Sequence, residues 1–166
     1  LFRQNADAED DVYVFLPAID SAPRRVSGNQ KNGSFMGTHF TYADLESRDI
    51  REASYTRLPD ETIGEFPVFV IDAVPDDPSQ TDYASVRLWV RQSDDIPLRV
   101  RFFDEAGETV KTIFTQQTDV SGDRTYVRRL MLSMPDGGST TMVIENADFD
   151  AVVSAAELTP EALTTP

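Results

Sequence analysis

Two short segments constrain the fold of this chain most. In residues 86–91, Val86, Leu88 and Val90 alternate with Arg87, Trp89 and Arg91. In residues 98–103, Leu98, Val100 and Phe102 alternate with Arg99, Arg101 and Phe103. Successive side chains of an extended strand point to opposite faces, so a period of two predicts a strand with one apolar and one mixed face. A helix would scatter the same residues around its circumference. Between the two segments, Ser93-Asp94-Asp95-Ile96-Pro97 is rich in turn formers and predicts an antiparallel hairpin.

The same grammar runs along most of the chain. Residues 12–16 read as a strand, with Leu1 to Arg3 pairing to it across the acidic loop Asn5 to Asp11. Residues 50–58 and 66–74 read as strands joined around Pro59-Asp60-Glu61, and Pro75 to Asp82 reads as a long loop. Glu105 to Glu108 turns the chain into a strand near 109–117. Asp119 to Asp123 leads into one near 124–134, and Pro135-Asp136-Gly137-Gly138 closes a hairpin into 139–147. That is about eight or nine strands in nearest-neighbour order, a mainly β antiparallel meander over residues 1–152. Residues 153–166 form a C-terminal tail. Helix signals are short: Thr41 as an N-cap with Asp44 three residues on, and Thr159-Pro160-Glu161, a cap followed by proline at the first helical position.

Composition excludes several functions. The net charge is −14, from 29 acidic and 15 basic residues, which argues against a nucleic-acid partner. There is no cysteine, so disulfides, zinc–thiolate sites and thiol nucleophiles are excluded. No apolar run approaches the roughly 20 residues of a spanning helix. His39 is the only histidine and no Gly-x-Ser-x-Gly elbow accompanies it, so no catalytic residue is expected. The pairs Asp10-Asp11, Asp76-Asp77 and Asp94-Asp95 lack the alternating oxygen ligands of a calcium loop. No metal or other cofactor is expected, and a hydrolase with paired carboxylates stays a remote alternative. The chain opens Leu1-Phe2-Arg3 without a basic-then-apolar leader, which fits either a processed protein or a piece of a longer one.

The apolar strand positions form a candidate ligand surface. They are Val86, Leu88, Val90, Leu98, Val100 and Phe102, with Phe114, Leu130, Leu132, Met142 and Ile144 from the later strands. Such a set either lines a cavity or fills an ordinary core, and composition does not choose between the two. Arg87, Arg91, Arg99 and Arg101 share the other face, which suits solvent. They pair across strands with carboxylates, or they recognise lipid phosphates or an acidic partner. Trp89 lies on this face, either stacked beneath Arg87 or Arg91 or buried. Residues 28–45 are too glycine-rich for a regular strand, yet they carry Phe35, Met36, Phe40, Tyr42 and Leu45. A loop this apolar covers something: it plugs one end of the sheet, or it is a lid over a ligand cavity.

This segment also carries a resemblance. Tyr13-Val14-Phe15-Leu16-Pro17-Ala18, then Arg24-Arg25-Val26, Gly33-Ser34-Phe35-Met36-Gly37 and Phe40-Thr41-Tyr42-Ala43-Asp44-Leu45 together resemble the LolA-like outer-membrane lipoprotein-sorting family. Leu88-Trp89-Val90, Phe102-Phe103-Asp104 with Gly107, and Gly138-Ser139-Thr140-Thr141 resemble later strands and turns of that family in the same order, so the likeness spans most of residues 12–150. His39 stands where the family usually has aspartate. The resemblance implies a strongly curved, unclosed half-barrel with short helical or loop segments on its concave side, of which this chain would be the C-terminal two thirds. It implies a periplasmic, non-enzymatic carrier of lipid or lipoprotein acyl chains that works beside an inner-membrane transporter and makes peripheral contact with the membrane. The alternative is a non-catalytic periplasmic subunit of a lipid or efflux permease with a filled core. Burial is worth about 0.8 kcal/mol per methylene, so a sixteen-carbon chain gains on the order of 10 kcal/mol before ordering costs.

Overall fold

The computed structural model describes residues 2–3, 11–46, 50–78 and 81–164. Leu1 and the acidic stretch 5–10, including Asp10 of the first aspartate pair, lie outside the described residues. The chain divides into two compact units. Among the described residues, the smaller takes those up to Met36, then Phe40 to Glu46 and those from Asp150 onward; the larger takes 37–39 and 50–149.

The smaller unit contains a three-stranded antiparallel sheet of β1 (Phe2–Arg3), β2 (Asp11–Val14) and β3 (Arg24–Val26). Phe2 pairs with Val12 and Arg3 with Asp11, as the sequence suggested. Its core is Val12, Val14, Val26 and Tyr42, with Leu16 and Phe35 packed against them. Thr41 and Asp44 form the expected reciprocal cap. The Thr41 N–H donates to Asp44 Oδ2 (2.8 Å), and the Asp44 N–H donates to Thr41 Oγ1 (3.2 Å). Thr159 Oγ1 accepts from the Ala162 N–H at 3.3 Å and starts a 3₁₀ turn, Glu161–Thr164.

The larger unit is a seven-stranded antiparallel sheet: β4 (Ala53–Ile63), β5 (Phe66–Pro75), β6 (Ser85–Arg91), β7 (Pro97–Phe103), β8 (Thr109–Ser121), β9 (Arg124–Ser133) and β10 (Ser139–Val143). Each strand pairs with its sequence neighbour, and among the described residues β4 and β10 are the edges, so the sheet is a meander not closed into a barrel. The expected turn at Pro59-Asp60-Glu61 is instead a bulge inside β4, where the register slips between Leu58 and Glu61. Proline has no N–H to give a ladder, and an edge strand with a bulge is where a sheet tolerates it. The turn comes at Gly64-Glu65, where Gly64 takes a φ of 60° that suits a two-residue hairpin loop. Further bulges interrupt the pairing of β6 with β7, β7 with β8 and β8 with β9. Each bends its strand and adds twist.

Candidate functional site

Cross-strand partners share a face, so the register sorts the side chains of the sheet into two sets. One face carries an unbroken apolar row: Ile71 opposite Leu88, Leu88 opposite Val100, Val100 opposite Ile113, and Ile113 opposite Leu132. Phe69 opposite Val90 and Val86 opposite Phe102 widen it on either side, and Leu130 opposite Met142 extends it toward β10. Phe102 and Leu132 are buried, whereas Ile71, Leu88, Val90, Val100, Ile113 and Leu130 are half-buried. The structure thus brings together Val86, Leu88, Val90, Val100, Phe102, Leu130, Leu132 and Met142. Ile144 lies past the end of β10 and is exposed.

Leu98 and Phe114 are not in this set. The β6–β7 bulge places Leu98 and Arg99 together opposite Trp89, and Leu98 turns into a buried cluster with Val68, Val70 and Trp89. Phe114 pairs with Arg99 and Met131 on that same opposite face. Phe69, Ile71 and Ile113 were missing from the sequence set. Residues 68–74 are apolar at both phases of the alternation, the mark of a strand buried on both sides, and that signal could have found the first two.

Lys111 is the polar surprise of the apolar face. It pairs with Phe102, is 2% exposed, and its Nζ sits 4.7 Å from the Tyr83 ring centroid and 4.9 Å from that of Phe102. The aromatic faces offer the ammonium an electrostatic partner that aliphatic neighbours would not.

Of the residues read as a lid, Phe40 and Tyr42 are buried, and Phe35 meets Tyr42 edge-on at 5.5 Å within the smaller unit. Leu45 is half-buried in a 3₁₀ turn, Ala43–Leu45, and Met36 is exposed with a φ of 51°. Gly37–His39, by contrast, belongs to the larger unit. There the His39 N–H donates to Thr140 Oγ1 (3.1 Å), and the same oxygen lies 2.8 Å from His39 Nδ1. Thr140 pairs with Leu132, so this contact sits on the apolar face at edge strand β10. Gly138 makes room for it, because a Cβ there would lie 2.7 Å from His39 Nε2. Replacing Thr140 by Val removes both contacts of its hydroxyl. The His39 amide is then expected to exchange with solvent about tenfold faster, while the amides of β9 keep their protection. Hydrogen-exchange mass spectrometry checks this, and an unchanged rate at 37–39 would show that the contact holds nothing.

The opposite face is not the solvent surface that its arginines suggest. Val68 and Val70 are fully buried there, and Trp89 is 4% exposed with its Nε1–H donating to Glu61 Oε2 at 2.9 Å. Trp89 is buried, and it is stacked against Arg87 as expected but not against Arg91; Arg99 and Arg101 lie nearer to it. The guanidinium carbons of Arg99, Arg101 and Arg87 lie 5.1, 5.5 and 6.0 Å from its ring centroid, while Arg91 sits over Phe66 at 5.1 Å. Carboxylate pairing accounts for much of the arginine count. Arg87 grips Asp72 with both Nε (2.5 Å) and Nη2 (2.8 Å), and Arg91 grips Asp94 likewise (2.7 and 2.6 Å). Arg25 pairs with Asp11, and Arg128 with Asp119.

The Asp94 carboxyl is held below its usual range, first by the Arg91 hydrogen bonds and further by the Ile96 N–H, against the opposing effect of burial. A lowered folded-state pKa stabilises the protein above the ordinary carboxylate value near about 4, and that stability is lost as pH falls through the lowered value. Asp94→Asn is expected to flatten this part of the acid limb in urea unfolding between roughly pH 2 and 5. An identical limb in the variant would mean that the pair does not couple to folding.

Among the described residues, no three histidine or acidic side chains gather as a metal site. A cleft of about 610 Å³ opens between Val74, Pro78, Tyr83, Asp104 and Glu105, and no residue of the apolar row lines it.

Comparison with known structures follows this geometry. A domain described as an outer membrane lipoprotein-sorting protein domain from Vibrio parahaemolyticus superposes with a TM-score of 0.87 at 26% identity, covering 98% of this chain and 69% of that one. A DUF1329 family protein from Desulfovibrio piger gives 0.86 at 27%, covering 95% and 66%. The chain shares the LolA-like fold of these structures. A family model described as "Uncharacterized protein" also matches residues 1–165. A LolA superfamily protein from Nitrosomonas europaea shares the fold at 22% identity and a TM-score of 0.59, covering 79% of this chain and 58% of its own. No curated protein matches the sequence. The chain thus spans about two thirds of the length of the Vibrio and Desulfovibrio structures.

Proposed function

We propose that the chain binds lipid or lipoprotein acyl chains on the apolar face of its seven-stranded sheet, as a non-enzymatic carrier in the periplasm. The observation that carries this reading is the row Ile71–Leu88–Val100–Ile113, which crosses four strands without a polar interruption and is only half-buried. An acyl chain needs a continuous apolar track and no catalytic group. The kinship with a domain described as lipoprotein-sorting supports the cargo class. Gly37–His39, in the same unit as the track, are fastened at its β10 end through Thr140. A carrier must also release its cargo, so ordering costs on binding offset much of the gain from burial. A protein beside an inner-membrane transporter would receive its lipid there.

The second reading is a periplasmic subunit of a permease whose sheet holds no cargo. The lining of the cleft, which includes no residue of the row, favours it. Native mass spectrometry of the purified chain, followed by organic extraction, separates the two. A bound species of lipid mass is expected. A bare protein mass, together with no uptake of a fluorescent sixteen-carbon fatty acid, would leave the permease-subunit reading.

A further inference from the structure

The arginines of the Trp89 face are not equivalent. Arg87 and Arg91 each spend their fork on a carboxylate, Asp72 and Asp94. Arg99 and Arg101 do not: among the described residues neither has a carboxylate at ion-pair distance, and the buried Nε–H of each meets no acceptor of the protein. The chain carries 29 acidic side chains, so the lack of one here is a local choice. The register sharpens the point. Arg101 stands directly opposite Arg87, and Arg99 opposite Trp89, so three guanidinium groups crowd one indole. Like charges facing each other across a sheet are destabilising unless something neutralises them. Glu61 is the nearby carboxylate, and its Oε2 already accepts the Trp89 Nε1–H. Thr112, opposite Arg101, adds a hydroxyl to the same face.

We propose that Arg99 and Arg101, braced on Trp89, form a binding site for a phosphate group, on the face opposite the acyl track. The aromatic ring fixes both side chains, and their terminal nitrogens supply two forks from one strand, two residues apart. A carboxylate has two oxygens and fills one fork. A tetrahedral phosphate has enough oxygens to accept from both, and its second charge matches the two unneutralised cations. The site does not depend on the acyl-chain reading, because it uses different residues on the other face.

The chain has one tryptophan, and it lies in the site, so its emission reports occupancy directly. The experiment titrates the protein with inorganic phosphate at constant ionic strength, and separately with phosphatidylglycerol vesicles. A saturable change in Trp89 emission with phosphate identifies the free ion as sufficient. A change with vesicles alone identifies the lipid headgroup as the source. In either case Arg99→Gln and Arg101→Gln, checked as folded by circular dichroism, are each expected to weaken binding by roughly tenfold or more. Arg101→Lys, which keeps the charge but loses the fork, is expected to fall between. Thermal unfolding gives an independent reading, since a phosphate that binds the native state raises the melting temperature of the parent and not of the glutamine variants. No saturable response to either probe, or a response that survives both glutamine substitutions, overturns the proposal and leaves the arginines as packing for the indole.

Discussion

Leu88→Glu and Val100→Glu chains are expected to fold and to lose acyl-chain binding by about a hundredfold or more. The two residues are direct cross-strand partners at the middle of the apolar row. Both are half-buried, so a carboxylate at either position reaches water in the empty protein, and the stability cost stays within about 0.5–3 kcal/mol. The bound state has no such escape. A chain lying across the row must desolvate the charge or detour around it, and detouring past three or four methylenes forfeits about 0.8 kcal/mol for each. At roughly 1.4 kcal/mol per tenfold, that alone is about a hundredfold. Val70→Glu is the control on the other phase of the neighbouring strand: Val70 is fully buried, and its replacement by a charge should prevent folding. Circular dichroism with displacement of a fluorescent fatty acid reads both quantities. A Leu88→Glu chain that folds and binds like the parent would remove this face from consideration.

The strands and their order were legible because they rest on local signals. Alternation at 86–91 and 98–103 and the turn residues between strands predict hairpins, and consecutive hairpins predict a meander. What was not legible is phase. Alternation says that Leu98 and Val100 share a face, and in an unbroken strand they would. The bulge opposite Trp89 shifts the phase by one residue and sends Leu98 into the buried cluster. The same blindness turned Pro59-Asp60-Glu61 into a predicted turn, since proline and aspartate mark turns and edge bulges alike. Phe40 and Tyr42 were legible as buried, because apolar residues in a glycine-rich loop must find cover. Tyr42 finds it beside Val12, Val14 and Val26, partners that no local pattern names. Lys111 was beyond reach for the same reason: its two aromatic partners come from β7 and from the loop before β6.

Trp89→Ala is expected to lower unfolding stability by about 3–5 kcal/mol, against about 0.5–1.5 kcal/mol for the hydrogen bond lost in Trp89→Phe. Trp89 is 4% exposed and packs with Val68, Val70 and Leu98, so truncation opens a cavity that fixed strands on either side cannot collapse. It also strips Arg87, Arg99 and Arg101 of their common ring and leaves Arg87 facing Arg101 without it. Phenylalanine keeps most of the apolar contact and a ring for the guanidinium groups, and gives up mainly the hydrogen bond to exposed Glu61, which water can replace. Since a domain of this kind is stable by only about 5–15 kcal/mol, the alanine variant stands near the edge of folding and the phenylalanine variant does not. Urea unfolding followed by far-ultraviolet circular dichroism measures the difference. A loss under about 1 kcal/mol for the alanine variant would mean that this cluster is not what holds the sheet together. The expected large loss, beside tolerated Leu88→Glu and Val100→Glu, would assign stability to the Trp89 face and not to the apolar row.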